Sequence, residues 1–369
     1  MSRPDTRTRV VVQDPAMRRS SGIILLFGFL AVSLVVVGAR RAASDPPYWA
    51  YGLTPPAEGA PPLTIPAPYP AAPNPPAPAP AAGAPPANGR APDLTPRRVA
   101  GAAGSFTTGE INNGYGPADW FPQDHPAMPD VVAHGKNGQA RACSLCHMPN
   151  GKGRPENAPV AGQPYDYIVQ QLSDFRNGLR WSAEPRKANT AEMIQIAKAL
   201  TEDEIKDAAK YFSSMTWTPW IKVVEMDTIP HMRLTGNIFY RTDDGTTEPI
   251  GKRVIETPEN TVETQLRNPR SGFLAYVPTG SLKRGEELVT TGANGRTLPC
   301  GVCHGPDLKG VGPLPGIAGR SPSYLARQLF DIQQGTRHGA LAALMKPVVA
   351  NLTEDDMIAI VAYVSSRVP

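Results

Sequence analysis

Cysteine is scarce in this chain, with only four among 369 residues. They form two pairs of equal spacing, Cys143 with Cys146 and Cys300 with Cys303, so none is left over for a separate thiolate ligand. Surplus charge is scarce as well, since the formal net charge is only +4. Arginines near the N-terminus carry nearly all of that surplus, and acids and bases almost cancel farther along. This charge pattern gives no basis for nucleic-acid binding.

Each cysteine pair is followed at once by a histidine, His147 in the first motif and His304 in the second. On a helix, two cysteines three residues apart share one face, so both sulfurs can bond the vinyl groups of one porphyrin. The next residue then lies under the iron as its proximal ligand. Because Cys-x-x-Cys-His is the attachment pattern of haem c, the sequence predicts two covalently bound haem c groups.

Paired cysteines can also bind zinc or form a disulfide. The pairs of a four-cysteine zinc site normally lie about 15–20 residues apart in a small intracellular module. Here the pairs are much farther apart, and each is followed by a histidine. A disulfide within each motif is the third interpretation, but it leaves both histidines without a role. Haem attachment is therefore favoured over both alternatives.

The two motifs lie inside an internal duplication. Residues 131–180 align with residues 288–337 without a gap, and the first copy gains a few residues only after that stretch. The alignment pairs the following identical residues: Gly135 with Gly292, Asn137 with Asn294, Gly138 with Gly295, Lys152-Gly153 with Lys309-Gly310, Ala161-Gly162 with Ala318-Gly319, Tyr167 with Tyr324, Gln171-Leu172 with Gln328-Leu329, Asp174 with Asp331, Gly178 with Gly335 and Arg180 with Arg337. The chain is therefore predicted to contain two homologous haem domains in tandem.

Each copy is predicted to consist of helices around its haem. Apolar residues recur at helical intervals between Tyr165 and Asn177, and the second copy repeats the pattern. Each copy then ends with a helix that is opened by a capping threonine, Thr201 in the first and Thr353 in the second.

Methionines at matching positions are the predicted sixth ligands. Met193 and Met345 each stand eight residues before the capping threonine of the last helix. Most methionines in helical proteins only fill the core, but no other candidate ligand is shared by both copies. The predicted metal ligands are therefore His147 with Met193 and His304 with Met345. Such irons are six-coordinate and relatively high in potential, so they pass electrons and offer no open site for a substrate.

The chain resembles the cytochrome c4-type dihaem cytochromes over roughly residues 129–215 and 281–369. The resemblance rests on the two Cys-x-x-Cys-His motifs, the Ala-Gly step, the Tyr-x-x-x-Gln-Leu helix, Gly-x-Arg and the late methionine. It implies a class I cytochrome c fold for each domain. It also implies that a proline carbonyl accepts the second N–H of each proximal imidazole, which suggests Pro159 and Pro315 (or Pro313).

The resemblance makes Arg180 and Arg337 candidates for haem-propionate contacts. The alternative is that each is a solvated residue near a helix end. The chain departs from the family in the long stretch between the domains, where strand-like runs occur at residues 252–256 and 273–277. That length puts a close approach of the two haems in doubt.

The N-terminus is the other departure from the family. Residues 23–39 form an almost unbroken apolar run of about 26 Å in helical form, preceded by several arginines. The run predicts an uncleaved membrane anchor, and a cleaved signal peptide is the alternative. A Pro- and Ala-rich stretch follows, which predicts an extended linker. The predicted parts are a cytoplasmic tail (1–20), a transmembrane helix (21–41), a linker (42–115), cytochrome c domain 1 (116–215), an inter-domain segment (216–280) and cytochrome c domain 2 (281–369).

The predicted fold class is all-α: two tandem class I cytochrome c domains after one transmembrane helix and a disordered linker, with a partly β or irregular segment between the domains. The expected function is electron transfer in the bacterial periplasm, from a quinol-oxidising complex or periplasmic dehydrogenase to a terminal oxidase or reductase. The chain would be a carrier tethered to the inner membrane and not an enzyme. The alternatives are a cytochrome subunit of a membrane dehydrogenase or oxidase complex, and a dihaem peroxidase or thiosulfate-oxidising enzyme.

Overall fold

The computed structural model describes residues 45–60, 93–136 and 138–369. The predicted cytoplasmic tail (1–20) and transmembrane helix (21–41) lie outside these residues, as do residues 42–44 and 61–92 of the predicted linker. Within the described ranges, no helix is both long enough and apolar enough to cross a membrane.

The longer helices of the described residues build the two haem domains. The helices are α1 (Tyr48–Tyr51), α2 (Thr108–Ile111), α3 (Asp130–Ala133), α4 (Cys143–His147), α5 (Tyr165–Arg176), α6 (Ala188–Ala199), α7 (Glu202–Ser213), α8 (Thr261–Gln265), α9 (Ser281–Thr291), α10 (Gly301–His304), α11 (Pro322–Gln333), α12 (Lys346–Val349) and α13 (Glu354–Ser365), with 3-10 helices at Pro122–Asp124 and Ala340–Met345.

The prediction of an all-α fold is wrong, because the segment between the haem domains folds into small sheets. Its strands are β1 (Ile221–Glu225), β2 (Thr228–Pro230), β3 (Met232–Thr235), β4 (Ile238–Arg241), β5 (Thr247–Pro249), β6 (Ile255–Pro258) and β7 (Phe273–Val277). In the described part of the chain, β7 is the centre of a three-stranded sheet, parallel to β1 and antiparallel to β6, and β2–β5 and β3–β4 form two antiparallel pairs. Residues 216–280 are called the middle segment below.

The strands form where β-branched and aromatic residues are concentrated. β7 has the bounds that the sequence predicts, whereas the other predicted run overlaps β6 only at its end. Every residue of β6 is buried, and most of β7 is buried too. The three-stranded sheet is therefore covered on both faces and forms a hydrophobic core of its own. The helix patterns of the haem domains give no indication of this core.

The predicted helix ends are confirmed in both haem domains. The Thr201 side chain accepts the Glu204 N–H while the Glu204 carboxylate accepts the Thr201 N–H, which is a complete capping box at the start of α7. Thr353 and Asp356 make the same pair of bonds at the start of α13. These caps fix where the last helix of each domain begins, and so fix which face it turns to the haem cavity.

The two haem domains contact each other directly. Their backbones meet in an antiparallel bridge between Arg180 and Arg337. The Trp181 N–H donates to the Thr336 carbonyl at 2.9 Å, and the His338 N–H donates to the Leu179 carbonyl at 2.9 Å. The bonded positions correspond in the repeat alignment, so the domains meet about an approximate two-fold axis. The long middle segment therefore does not separate them.

Residues 45–60 pack on the haem domains although they belong to the predicted linker. The side chains of Trp49 and Tyr51 are buried, and α1 contacts α11. The Tyr51 hydroxyl donates to Asp331 at 2.7 Å, and Lys187 Nζ donates to the Tyr51 carbonyl at 3.0 Å. This short stretch thus bridges groups of both domains.

Residues 93–125 pack mainly on the middle segment. Val99, Ile111, Trp120 and Phe121 form a buried cluster there. Trp120 Nε1 donates to the Leu266 carbonyl at 2.7 Å, and the Arg270 guanidinium stacks 3.6 Å from the Phe121 ring centroid. The end of the predicted linker is therefore part of the folded unit.

Candidate functional site

The first cavity lies in the first haem domain, between α4, α5 and α6. Cys143, Cys146, His147 and Met193 all line it, together with apolar side chains of the helices. α4 brings both cysteines and the histidine to one wall, and α6 carries the methionine. All four residues predicted for the first haem therefore face one space.

The second cavity repeats this arrangement in the second haem domain. Cys300, Cys303, His304 and Met345 line it. The methionine ends a 3-10 helix here, whereas Met193 lies within the long helix α6, because the two copies diverge after the gap-free part of the repeat. The structure brings together every predicted site residue of the second haem as well.

A backbone carbonyl orients each proximal imidazole. His147 Nδ1 donates to the Ala158 carbonyl at 2.8 Å, and His304 Nδ1 donates to the Pro315 carbonyl at 2.7 Å. Pro315 is thus confirmed, but the prediction of Pro159 for the first domain is wrong by one residue. Ala158 and Pro315 correspond in the repeat alignment, so the bond belongs to the backbone position and needs no proline ring. With Nδ1 held in this way, Nε2 is the nitrogen available to a metal.

Burial keeps both imidazoles neutral. It lowers the pKa of His147, and the positive charge of Arg180 lowers it further. Burial and Arg337 lower the pKa of His304 in the same manner. A neutral imidazole has a free lone pair at Nε2, which is the form that binds iron.

The lining of both cavities suits a porphyrin in its chemistry. Most of the accessible surface inside each cavity is apolar. Buried donors without a hydrogen-bond partner among the described residues line each cavity: Trp181 Nε1 in the first and Arg337 Nε in the second. A flat apolar ring system with acidic groups at one edge would satisfy both features.

The alternatives for the cysteines do not fit. The two cysteines of each motif are not joined to each other in a disulfide. Across the described residues, no three His, Cys, Asp or Glu side chains are grouped as a metal ion would need. A zinc site built from both cysteine pairs is therefore excluded by the geometry.

Six polar side chains lie between the two cavities, and we call them the interface cluster: Tyr167, Gln171, Arg180, Tyr324, Gln328 and Arg337. Arg180 Nη2 crosses the domain boundary to Gln328 Oε1 at 2.9 Å and to the Tyr324 hydroxyl at 3.4 Å. Arg337 Nη2 crosses in the opposite direction, to Gln171 Oε1 at 2.9 Å and the Tyr167 hydroxyl at 3.0 Å.

The two arginines of the interface cluster are buried, unlike arginines that are solvated at a helix end. Arg180 and Arg337 are each only 8% exposed, so the alternative of solvated helix-end residues is wrong. Arg180 lines the first cavity and Arg337 the second. The two cavities are therefore separated by one shared layer of hydrogen-bonded side chains.

A second set of contacts joins the loops next to the cavities. Gln163 exchanges two hydrogen bonds with the Gly316 backbone, at 3.0 Å and 3.1 Å. Arg320, which occupies the aligned position in the second copy, donates to the carbonyls of Ala161 at 2.9 Å and Pro159 at 3.2 Å. Its guanidinium also stacks 4.2 Å from the Trp217 ring centroid. Each domain thus satisfies backbone groups of the other.

Sequence reasoning found the ligand candidates but not the interface role of these residues. Tyr167, Gln171 and their partners were visible as identities between the two copies, and that was the available signal. Identical residues in the two copies indicate a contact between the domains only if the domains are already known to face each other. The sequence offers no local mark of that contact.

Known cytochromes are similar to this chain in sequence. The family model described as "Cytochrome c" matches the chain twice, at residues 132–216 and 282–367. Cytochrome c4 from Azotobacter vinelandii is 34% identical over 232 residues, which cover 62% of this chain and 85% of that protein. The chain belongs to the cytochrome c4 family. As a cytochrome c4-type protein it holds two covalently bound haem c groups.

Other relatives extend the comparison. A protein named thiosulfate dehydrogenase electron acceptor, from Thiomonas intermedia, is 25% identical over 62% of this chain and 80% of its own length. The crystal structure of reduced recombinant cytochrome c4 from Pseudomonas stutzeri superimposes with a TM-score of 0.40 at 22% identity, over 61% of this chain and 93% of that one. This chain is a dihaem cytochrome c electron carrier like cytochrome c4.

Proposed function

We propose that this cytochrome c4-type chain is an electron carrier of the bacterial periplasm. It would take electrons from a quinol-oxidising complex or periplasmic dehydrogenase and pass them to a terminal oxidase or reductase. The observation that carries the proposal is the pairing of two equivalent cavities across one buried layer of side chains. Two redox centres held so close together suit the relay of single electrons, and the chain is proposed to have no catalytic residue of its own.

The proposed axial ligands are His147 with Met193 and His304 with Met345. Each bound haem iron supplies a one-electron couple between the ferrous and ferric states. The protein keeps Nε2 of each imidazole directed into its cavity through the hydrogen bond at Nδ1. Each methionine lines the same cavity as its histidine, which supports a thioether as the second ligand and a relatively high potential.

The interface cluster is proposed to keep the two centres at a fixed separation and to exclude water between them. Arg180 and Arg337 would also contact haem propionates, since both line a cavity and Arg337 Nε has no other partner in the described chain. Their positive charges lie where acidic groups of a haem need compensation. No proton donor or acceptor is required, because the proposed step transfers only an electron.

A redox titration of the haem-loaded protein with visible spectra tests this proposal. Two couples at positive potential are expected, with a weak red-edge sulfur-to-iron band for both oxidised irons. A high-spin iron, or one that binds cyanide at once, would instead favour a peroxidase-type enzyme. Such a result would contradict the proposed carrier function, whichever proteins donate and accept the electrons.

Ligand variants test the two methionines separately. Met193→Ala and Met345→Ala should each remove the red-edge band of one iron only and lower one potential by on the order of 0.1 V or more. Met357→Leu is the matched control, because Met357 is a buried methionine of α13 in the same core. That variant should keep both bands, and loss of a band there would contradict the assignment.

The second candidate is the electron acceptor of a thiosulfate dehydrogenase, and the relative from Thiomonas intermedia favours it. The test mixes the oxidised cytochrome with a thiosulfate dehydrogenase and thiosulfate, and follows haem reduction at the α band. Rapid reduction that requires both enzyme and thiosulfate would support this role. No reduction beyond the enzyme-free rate would leave the general carrier as the better proposal.

A further inference from the structure

Exposed aliphatic side chains surround the mouth of the second cavity near Cys303. Leu298 is 52% exposed, Val302 78%, Val311 56% and Leu344 57%. We call these four residues the aliphatic rim. Three of them also line the cavity itself, and Cys303 is exposed beside them. The apolar interior of the cavity is therefore continuous with an apolar surface.

The first cavity has a different rim, although the two domains are copies. At the four aligned positions stand Arg141, Leu145, Arg154 and Glu192. Arg141 pairs with Glu192 at 3.3 Å. Arg154 is paired within the chain as well, with the carboxylate of Glu156. Three aliphatic positions of the second rim thus correspond to charged side chains that already have partners.

The fourth position of the first rim is covered by the middle segment. Leu145 is only 4% exposed, whereas its counterpart Val302 is the most exposed residue of the aliphatic rim. Arg267 lies over this part of α4, donating from Nη1 to the Leu145 carbonyl at 2.6 Å and from Nε to Asn112 Oδ1 at 2.9 Å. The protein's own chain therefore occupies the surface that a partner would need.

We propose that the aliphatic rim is the docking surface for a redox protein, and that the second haem alone exchanges electrons with partners. This inference rests on the proposed carrier function. Four unpartnered aliphatic side chains around a redox centre form an apolar patch of the kind that marks an interaction site. The first haem communicates through the second, across the interface cluster.

The charges beside the rim define the partner. Lys309 and Lys346 are exposed and have no ion-pair partner among the described residues. One carboxylate, Asp307, stands two residues before Lys309 and accepts its backbone N–H. The complementary partner is a small redox protein with an apolar patch over its metal centre and carboxylates at the margin of that patch. One electron moves between its metal and the second haem iron, with no bond broken and no proton transferred.

A blue copper protein of the plastocyanin type, with an apolar end and an acidic side, is the probe. Stopped-flow oxidation of the reduced holoprotein by the copper protein gives a second-order rate constant. Line broadening of the ¹⁵N-labelled, reduced copper protein gives the affinity without electron transfer. Val302→Glu and Leu344→Glu should each lower both quantities about tenfold, because a carboxylate in the patch costs desolvation and repels acidic partners.

Val262→Glu is the matched control. Val262 is 61% exposed on α8 of the middle segment, so the same charge is added to an equally accessible valine away from the rim. This control should stay within twofold of the native protein. Lys346→Glu should slow the reaction at low ionic strength and lose its effect at high salt.

Several results would overturn the docking proposal. Rim variants within twofold of the native protein, or a native protein that does not bind the probe, would each do so. Concentration-dependent dimerisation that Val302→Glu abolishes would assign the rim to a second copy of the chain instead. The carrier function is tested separately, by the potentials and the cyanide binding of the native protein, so either proposal can fail alone.

Discussion

Glu256 is a carboxyl group enclosed between the middle segment and the second haem domain. Its side chain is 1% exposed; Oε2 accepts the Ser321 hydroxyl at 2.7 Å and the Ser323 N–H at 3.3 Å, and Oε1 has no partner in the described chain. Burial raises the pKa of Glu256 to about 7, although these hydrogen bonds favour the ionised form. An orphaned oxygen is consistent with a proton that stays on the folded protein at mildly acidic pH.

The pH dependence of stability follows from this group. The folded pKa of Glu256 is raised above its ordinary 4.5, so its contribution to stability is present below about pH 4.5 and is lost as the pH rises to about 7. The loss is on the order of 3 kcal/mol. Glu256→Gln should flatten this part of the profile and be more stable than the native protein at pH 8. Guanidinium unfolding of the holoprotein at pH 4 to 8 measures it.

Glu286→Gln is the control for this measurement, since it removes an exposed carboxylate of the same domain. It should reproduce the native pH profile. An identical slope for Glu256→Gln and the native protein would mean that folding leaves the pKa of Glu256 unchanged, which would contradict the prediction.

At the residue scale, the sequence predicted which residues bind the haem better than it predicted what orients the histidine side chain. Cys143, Cys146 and His147 were identifiable because their spacing places both sulfurs on one face of a helix, with the histidine directly after them. The acceptor for the imidazole N–H was not, since a backbone carbonyl leaves no mark in the side-chain sequence. The prediction of Pro159 failed for that reason, since the acceptor is the carbonyl of Ala158.

The packing of α9 against α13 depends on one glycine. Gly285 lies at the closest approach of the two helices, and a Cβ there would lie 2.6 Å from the Tyr363 Cβ and closer still to the Ala359 carbonyl. Both neighbours belong to the rigid face of α13. No side chain larger than hydrogen fits between the helices without moving them apart.

Gly285→Ala should therefore destabilise the second haem domain by roughly 1–3 kcal/mol, because overpacking outweighs the higher helix propensity of alanine. Gly109→Ala in α2 is the control, since its Cβ would meet only the Thr107 hydroxyl at 3.9 Å. That variant should be neutral or slightly stabilised. Thermal unfolding followed at the Soret band compares them, and equal melting temperatures for both variants would contradict the packing argument.

At the element scale, the repeat predicted helices in both domains but not their unequal lengths. α9 runs from Ser281 to Thr291, whereas its counterpart α3 covers only Asp130–Ala133. Prolines at positions 126 and 129 explain the short helix, because proline cannot continue a helix in its interior. The alignment of the two copies begins only at Val131, so it could not predict the difference in length between α3 and α9.

The molecule as a whole is held together by contacts that cross between its parts. Arg320 is 2% exposed and joins the second haem domain to backbone carbonyls of the first and to Trp217 of the middle segment. Buried carbonyls without a donor are costly, so removal of this guanidinium affects all three parts at once.

Arg320→Ala should lower the free energy of unfolding by roughly 3 kcal/mol and separate a single unfolding transition into two. Arg320→Gln introduces the residue that the first copy has at this position, Gln163, and should retain part of the coupling. Denaturant unfolding followed at the Soret band and by tryptophan fluorescence makes the comparison. Coincident transitions in the alanine variant would show that the domains are coupled elsewhere.

At this largest scale, the sequence predicted two haem domains but left their separation open. The length of the middle segment suggested distance, yet Arg180 and Arg337 meet in one backbone bridge. Chain length between two domains limits only how far apart they can be. Their actual contact is decided by surface complementarity between residues distant in sequence.

The position of Arg267 over α4 has a consequence for how the protein is made. Arg267 belongs to a part of the chain that leaves the ribosome after Cys143 and Cys146, and it donates to the carbonyl of Leu145, which stands between them. We therefore expect the porphyrin to be attached at the first motif before residues 216–280 fold against α4. The second motif, with Cys303 exposed, stays accessible to the attachment machinery for longer. Maturation of this cytochrome is thus expected to run in the order of synthesis, with the N-terminal haem installed first.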